Sequence, residues 1–153
     1  MQEKETKLYD TAEAVQTFIL VTVESDQPEL TADQSLDELA DLLRTAGGEE
    51  AGRLIQRREA PHPGTYLGSG KIEELKRALE MTGAAGAITD DELTPAQLRN
   101  LSEALGAKVI DRTLLILDIF SQRATTREGQ MQVELAQLNY RLTRLAGLGT
   151  ELS

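Results

Sequence analysis

The sequence predicts an α/β fold, a mostly parallel four-stranded sheet with helices, followed by a protruding antiparallel helical hairpin. Three observations carry that expectation. Short β-branched apolar runs alternate with amphipathic helical stretches as far as Asp111. The connections between them are short enough for right-handed crossovers. Beyond Asp111 strand signals cease, and two Leu- and Ile-rich stretches flank a polar turn.

Taken in order, Thr17 to Val23 is a β-branched apolar run that reads as a buried strand, broken by Gln27 and Pro28. Ser35 is placed to cap a helix with Leu36, Leu39, Leu42 and Leu43 at helical spacing, and Asp37 and Glu38 favour its positive end. Gly47 and Gly48 stop it. Gly52 to Glu59 is a second strand of looser alternation, nearer a sheet edge, and Ala60 to Gly64 is a loop by its prolines. Ser69 is placed to cap a second helix with Ile72, Leu75 and Leu79 on one face, ended by Gly83. Ala85 to Thr89 is a strand of small residues. Thr94, Pro95 and Gln97 form a capping box with proline at the first helical position, and Leu98, Leu101 and Leu105 continue that helix to Gly106. Lys108 to Asp111 is the fourth strand.

Thr113 to Ala124 then reads as a helix, Thr125 to Gln130 as a turn, and Met131 to Leu145 as a second helix. Its apolar residues fall at 131, 135, 138, 142 and 145, the spacing of a coiled-coil or hairpin seam. Residues 1–111 are therefore expected as an α/β subdomain, 112–146 as the hairpin and 147–153 as the start of a linker.

Composition narrows the function. The chain has 153 residues, no cysteine and one histidine, and its net charge is −10. A thiolate nucleophile, a disulfide scaffold and a cysteine zinc site are excluded together. No run approaches the roughly 20 apolar residues of a membrane span. Met1 to Asp10 carries mixed charge with no apolar core of a signal peptide, so a cytoplasmic location is expected. The charge is uneven: residues 1–111 hold 11 basic and 22 acidic side chains, whereas residues 112–153 hold five arginines against four acids. An anionic partner meets least repulsion at the second part.

Four groups of residues are candidates for chemistry. Gly68, Ser69, Gly70 and Lys71 open a helix as a phosphate loop does, and backbone amides there suit an anion. A Walker A loop, however, needs glycine at position 65 and Ser or Thr at 72, where Thr65 and Ile72 stand. The same stretch also reads as a plain structural turn. Asp90, Asp91, Glu92 and Asp111 end two strands, at the edge where open α/β sheets bind ligands and where clustered carboxylates could hold Mg²⁺; the favoured account is that Asp91 and Glu92 face the positive end of the following helix. No metal site is assigned, and no catalytic residue, because no nucleophile has an adjacent base. His62, between two prolines, is given no role. Gln122, Arg123, Thr125, Thr126, Arg127 and Gln130 cluster at the hairpin turn, where arginine forks suit phosphate and the amides and hydroxyls suit phosphate or sugar oxygens. The turn has no aromatic residue, so base stacking is not its main mode.

Several segments together resemble a known family. Residues 111–124 (DRTLLILDIFSQRA), 126–129 (TREG) and 132–138 (QVELAQL) are similar to the N-terminal domain of the HflX family of ribosome-associated GTPases. Residues 66–74 (YLGSGKIEE) and 90–97 (DDELTPAQ) match two further segments in the same order. The resemblance implies an α/β subdomain with a helical hairpin that docks on the large ribosomal subunit and helps split ribosomes, often under stress. By motif position the tip touching ribosomal RNA is Gln122 to Gln130, with Arg123 and Arg127 on phosphates and Gly129 letting the turn close. It also implies that GTP and Mg²⁺ belong to a GTPase domain of the parent protein beyond Ser153, and that the present residues need no cofactor and are not an enzyme alone. Partners implied are the large subunit with its RNA and that GTPase domain, with the chain itself a monomer. Two further readings remain open: a small nucleotide-binding domain using Gly68 to Lys71, and a hairpin that dimerises through its apolar stripe.

Overall fold

The computed structural model describes residues 14–26 and 28–152, with side chains as far as Leu142. The reading of Met1 to Asp10, the residue Gln27 and the side chain of Leu145 lie outside this range. Four parallel strands form one sheet in the order β2-β1-β3-β4: β1 (Thr17–Glu24), β2 (Glu49–Arg57), β3 (Gly86–Thr89) and β4 (Lys108–Asp111). The helices are α1 (Ala32–Thr45), α2 (Ser69–Thr82), α3 (Pro95–Leu105), α4 (Arg112–Arg123) and α5 (Arg127–Leu152).

The apolar run of β1 is continuous because both of its faces are covered. Ile19 and Val21 join Leu54, Ala87 and Val109 beneath α2 and α3, through Ile72, Leu75, Leu79, Leu101 and Leu105. Phe18 and Leu20 join Ile88 and Ile110 on the other face beneath α1 and α4, through Leu36, Leu39, Leu43 and Leu115. The two-residue period of the strand thus divides one sequence between two cores. β3 and β4 approach closely at Gly86, where a Cβ would stand 2.2 Å from the Lys108 carbonyl oxygen.

Some boundaries differ from the sequence reading. α1 begins at Ala32 and its cap stands four residues before Ser35: Thr31 caps it and forms a full capping box with Gln34. Leu36, Leu39, Ala40 and Leu43 are buried along with Ala32, so the extra turn adds apolar contact to the core. α2 is capped by the backbone of Gly68 with no side-chain bond, so Ser69 is its first residue and not its cap. The Thr94 box stands as read, with Gln97 Nε2 also donating to the His62 carbonyl at 2.9 Å. Residues 147–152, expected as a linker, are the last turns of α5. Two glycines there weaken a helix by about 1 kcal/mol each, but no proline interrupts it.

The hairpin is present, with α4 and α5 packed together and Gln137 donating to Asp118 at 2.9 Å. Its first arm is also part of the sheet's cover: Leu115 and Ile119 are buried and α4 rests on α1. α5 touches α3, on one face of the sheet, and α4, on the other. It therefore runs across the open edge at β4, and the Tyr140 hydroxyl reaches the buried Asp111 carboxylate at the end of that strand. An edge strand left bare is a template for unwanted pairing, and α5 shields this one.

The stripe read as the hairpin seam does not face α4. Met131, Leu135, Leu138 and Leu142 are 60, 57, 52 and 48% exposed. The half-buried residues of α5 are instead Gly129, Val133, Gln137 and Tyr140. At about 100° per residue these inward positions lie opposite the stripe.

Candidate nucleic-acid interface

The α4–α5 turn is set by local bonds. The Ala124 amide donates to the Phe120 carbonyl and ends α4. The Thr126 hydroxyl accepts the Gly129 amide at 3.0 Å, which caps α5. Gln130 Nε2 donates back to the Ala124 carbonyl at 3.1 Å and closes the corner. Gln122 Nε2 donates to the Ala46 carbonyl at the end of α1, at 2.9 Å. Residues 124–126 therefore make the turn. Gly129, expected to let it close, already lies in α5, where an added Cβ would stand 2.9 Å from the Thr126 hydroxyl oxygen.

The six candidate residues thus divide. All six are exposed, but Gln122, Thr126 and Gln130 hold the turn together through hydrogen bonds in which Arg123, Thr125 and Arg127 take no part. Neither guanidinium has an ion pair or hydrogen bond with another described residue. Sequence alone does not separate these from Arg112, the first arginine of the same basic region. Arg112 donates to Asp90 at 2.6 and 3.1 Å and is spent inside the fold.

The carboxylates at the carboxyl edge are occupied in the same way. Asp90 accepts the Ser35 hydroxyl as well as Arg112. Asp91 accepts the Tyr66 hydroxyl at 2.6 Å, and Glu92 accepts Thr113 at 3.0 Å. Asp111 accepts the Leu93 and Leu114 amides, each at 3.0 Å, and the Tyr140 hydroxyl. Each carboxylate ties together segments distant in the chain. Tyr66 is buried and sits at φ 68°, a backbone region that side chains seldom adopt. Its hydroxyl also accepts the Val23 amide at 3.3 Å. Burial, reinforced by Asp91, pushes the phenol well above its ordinary range. No sequence signal marks Tyr66 as this strut, because its partners come from β1 and from the segment after β3.

The Gly68 to Lys71 stretch forms the start of α2 beside the end of β2. The Gly68 amide donates to Gln56 Oε1 at 2.8 Å, and Lys71 pairs with Glu74 at 3.0 Å. No side chain caps this helix and no acid stands in its first turn.

Comparisons with known proteins agree with this architecture. A family model described as "GTP-binding GTPase N-terminal" matches residues 33–121, and one described as "GTP-binding GTPase Middle Region" matches residues 123–153. "GTPase HflX" of Lacrimispora saccharolytica is 55% identical over 148 residues, which is 97% of this chain and 35% of that protein. "GTPase HflX" of Escherichia coli is 44% identical over 145 residues, 94% of this chain and 33% of that protein. The chain spans about a third of the length of these curated relatives. A crystal structure of a GTP-binding protein from the archaeon Sulfolobus solfataricus in complex with GDP aligns with a TM-score of 0.65 and 24% identity. The alignment covers 87% of this chain and 40% of that one, a likeness of fold.

Proposed function

The chain belongs to the HflX GTPase family, whose N-terminal and middle regions it matches, and from that premise we propose that it is a docking module for the large ribosomal subunit. In this reading the α4–α5 turn meets ribosomal RNA, and the module helps a longer GTPase split ribosomes under stress in the cytoplasm. The observation that carries it is the pair of exposed guanidiniums, Arg123 and Arg127, at a turn whose other polar side chains hold it in shape. Gln122, Thr126 and Gln130 then position the turn, and Arg123, Arg127 and Thr125 touch the RNA backbone. The acidic body keeps this end of the molecule as the approach of least repulsion for phosphate.

The module acts by binding. GTP hydrolysis belongs to a G domain, which the matched regions do not include. GTP and Mg²⁺ are then ligands of that domain, and it is a partner of this one. Co-sedimentation with purified large subunits tests the reading. Arg123→Ala with Arg127→Ala is expected to weaken pelleting while the thermal melt stays unchanged. Equal pelleting of parent and double variant would overturn it.

A second reading rests on α2, whose N-terminal amides carry neither a side-chain cap nor a first-turn acid. Gly68, Ser69, Gly70 and Lys71 would then hold the phosphates of a nucleotide. Titration calorimetry with ATP and GTP tests it: heat that Lys71→Ala abolishes supports the reading, and absence of heat at millimolar nucleotide removes it.

A further inference from the structure

We propose that the RNA interface continues from the α4–α5 turn into a crevice at the amino-terminal edge of the sheet, where Lys108 takes one further backbone phosphate. The inference rests on the docking reading and deepens it. The crevice, of about 170 Å³, is lined by Gly47 and Gly48 after α1, Phe18 of β1, Lys108 of β4, and Asp118 and Gln122 of α4. Gln122 immediately precedes Arg123, so the crevice adjoins the turn. Lys108 is exposed at the first position of β4. Arg44, Arg53, Arg57, Lys71 and Arg112 each pair with a carboxylate. The Lys108 ammonium has no ion pair or hydrogen bond with a described residue, and stands 5.9 Å from the centre of the Phe18 ring. That separation is the outer limit of a cation–π contact, and it leaves all three N–H donors free for an anion.

Size and charge select the occupant. Small-molecule pockets begin at about 300 Å³, so this crevice does not enclose a free nucleotide. A strand lying over it need insert only a phosphate and the edge of a ribose. Asp118, on the wall from α4, accepts Gln137 through Oδ1 at 2.9 Å, and its Oδ2 bonds no described residue. A carboxylate there disfavours a free phosphomonoester, which carries about −1.5 to −2 charge at pH 7. It suits a phosphodiester of single charge, whose ribose 2′-hydroxyl donates to it. Cation and acceptor together fit one link of a ribonucleotide backbone.

Pelleting of the chain with purified large subunits, titrated with salt, tests it on Lys108→Gln, Lys108→Arg, Lys76→Gln and the Arg123→Ala, Arg127→Ala double variant. Lys108→Gln is expected to flatten the slope of log affinity against log salt by about 0.7–0.9, and to weaken binding about five- to eightfold at ~0.1 M salt. It keeps the aliphatic stem over Phe18, so the thermal melt stays in place. Lys108→Arg keeps the parent's slope. Lys76 is exposed on α2, which covers the opposite face of the sheet from α4. Lys76→Gln changes the net charge equally and is expected to leave binding at the parent's value. A Lys108→Gln line parallel to the parent's, while the double arginine variant flattens, overturns the inference and leaves the turn reading standing. Equal flattening by Lys76→Gln overturns it too, since net charge then accounts for the loss. A double arginine variant that also runs parallel to the parent overturns the docking reading, and this inference with it.

Discussion

Gln122, in the last turn of α4, donates a hydrogen bond across 76 residues to the carbonyl of Ala46 at the end of α1. That bond anchors the α4–α5 turn at the amino-terminal edge of the sheet, and it gives a side chain expected on RNA a structural task. Gln122→Ala should lower stability by about 1 kcal/mol or less, as for an exposed neutral hydrogen bond. Binding to large subunits should stay within about twofold, a change of ~0.4 kcal/mol. Denaturant melts and pelleting on the same sample check both. A loss of binding as large as that of Arg123→Ala would place Gln122 on the RNA itself.

Tyr66 predicts an alkaline limit to stability. In the unfolded chain the phenol ionises near pH 10, and in the folded protein burial and Asp91 keep it neutral to higher pH. Below pH 10 both states hold the proton and the group adds no pH dependence. Above it the unfolded state loses a proton that the folded state keeps, so stability falls as pH rises, by up to about 1.4 kcal/mol per unit. Tyr66→Phe should be less stable at pH 7 by about 1–3 kcal/mol, from the lost bond to Asp91, and should lack this share of the alkaline slope. Urea melts between pH 8 and 11 measure both.

Asp111 joins three elements through the Leu93 amide, the Leu114 amide and the Tyr140 hydroxyl. Asp111→Ala orphans one buried and one part-buried amide and should cost about 3 kcal/mol. Tyr140→Phe should release α5 alone. Amide exchange in α5 is then expected to quicken while exchange in β1 and β3 is unchanged.

Gly86→Ala should be among the most damaging small substitutions. A Cβ at 2.2 Å from a backbone oxygen forces β3 and β4 apart, at a cost of about 3 kcal/mol. Gly70→Ala, with nothing within 4 Å of the added carbon, should be close to neutral. Thermal melts of the pair compare the two.

The parts that were legible in the sequence are those fixed by neighbours along the chain. The Thr94 box needs only Pro95 and Gln97, and β1 declares itself because both faces are apolar. Thr31 and Ser35 each stand three residues before a Gln or Glu, so the sequence pattern alone does not separate them, and burial of Ala32 goes with Thr31 as the cap. The stripe on α5 was legible as a seam but not as an outward one, since periodicity states that a face needs a partner and not which. Arg112, Arg123 and Arg127 look alike in sequence. Only the fold brings Asp90 to the first and leaves the other two exposed.

The salt dependence of large-subunit binding tests the central claim most directly. Each phosphate contact adds about 0.7–0.9 to the slope of log affinity against log salt. The account predicts that Arg123→Ala with Arg127→Ala flattens the parent's slope by about 1.4–1.8. Parallel lines for parent and double variant would contradict it.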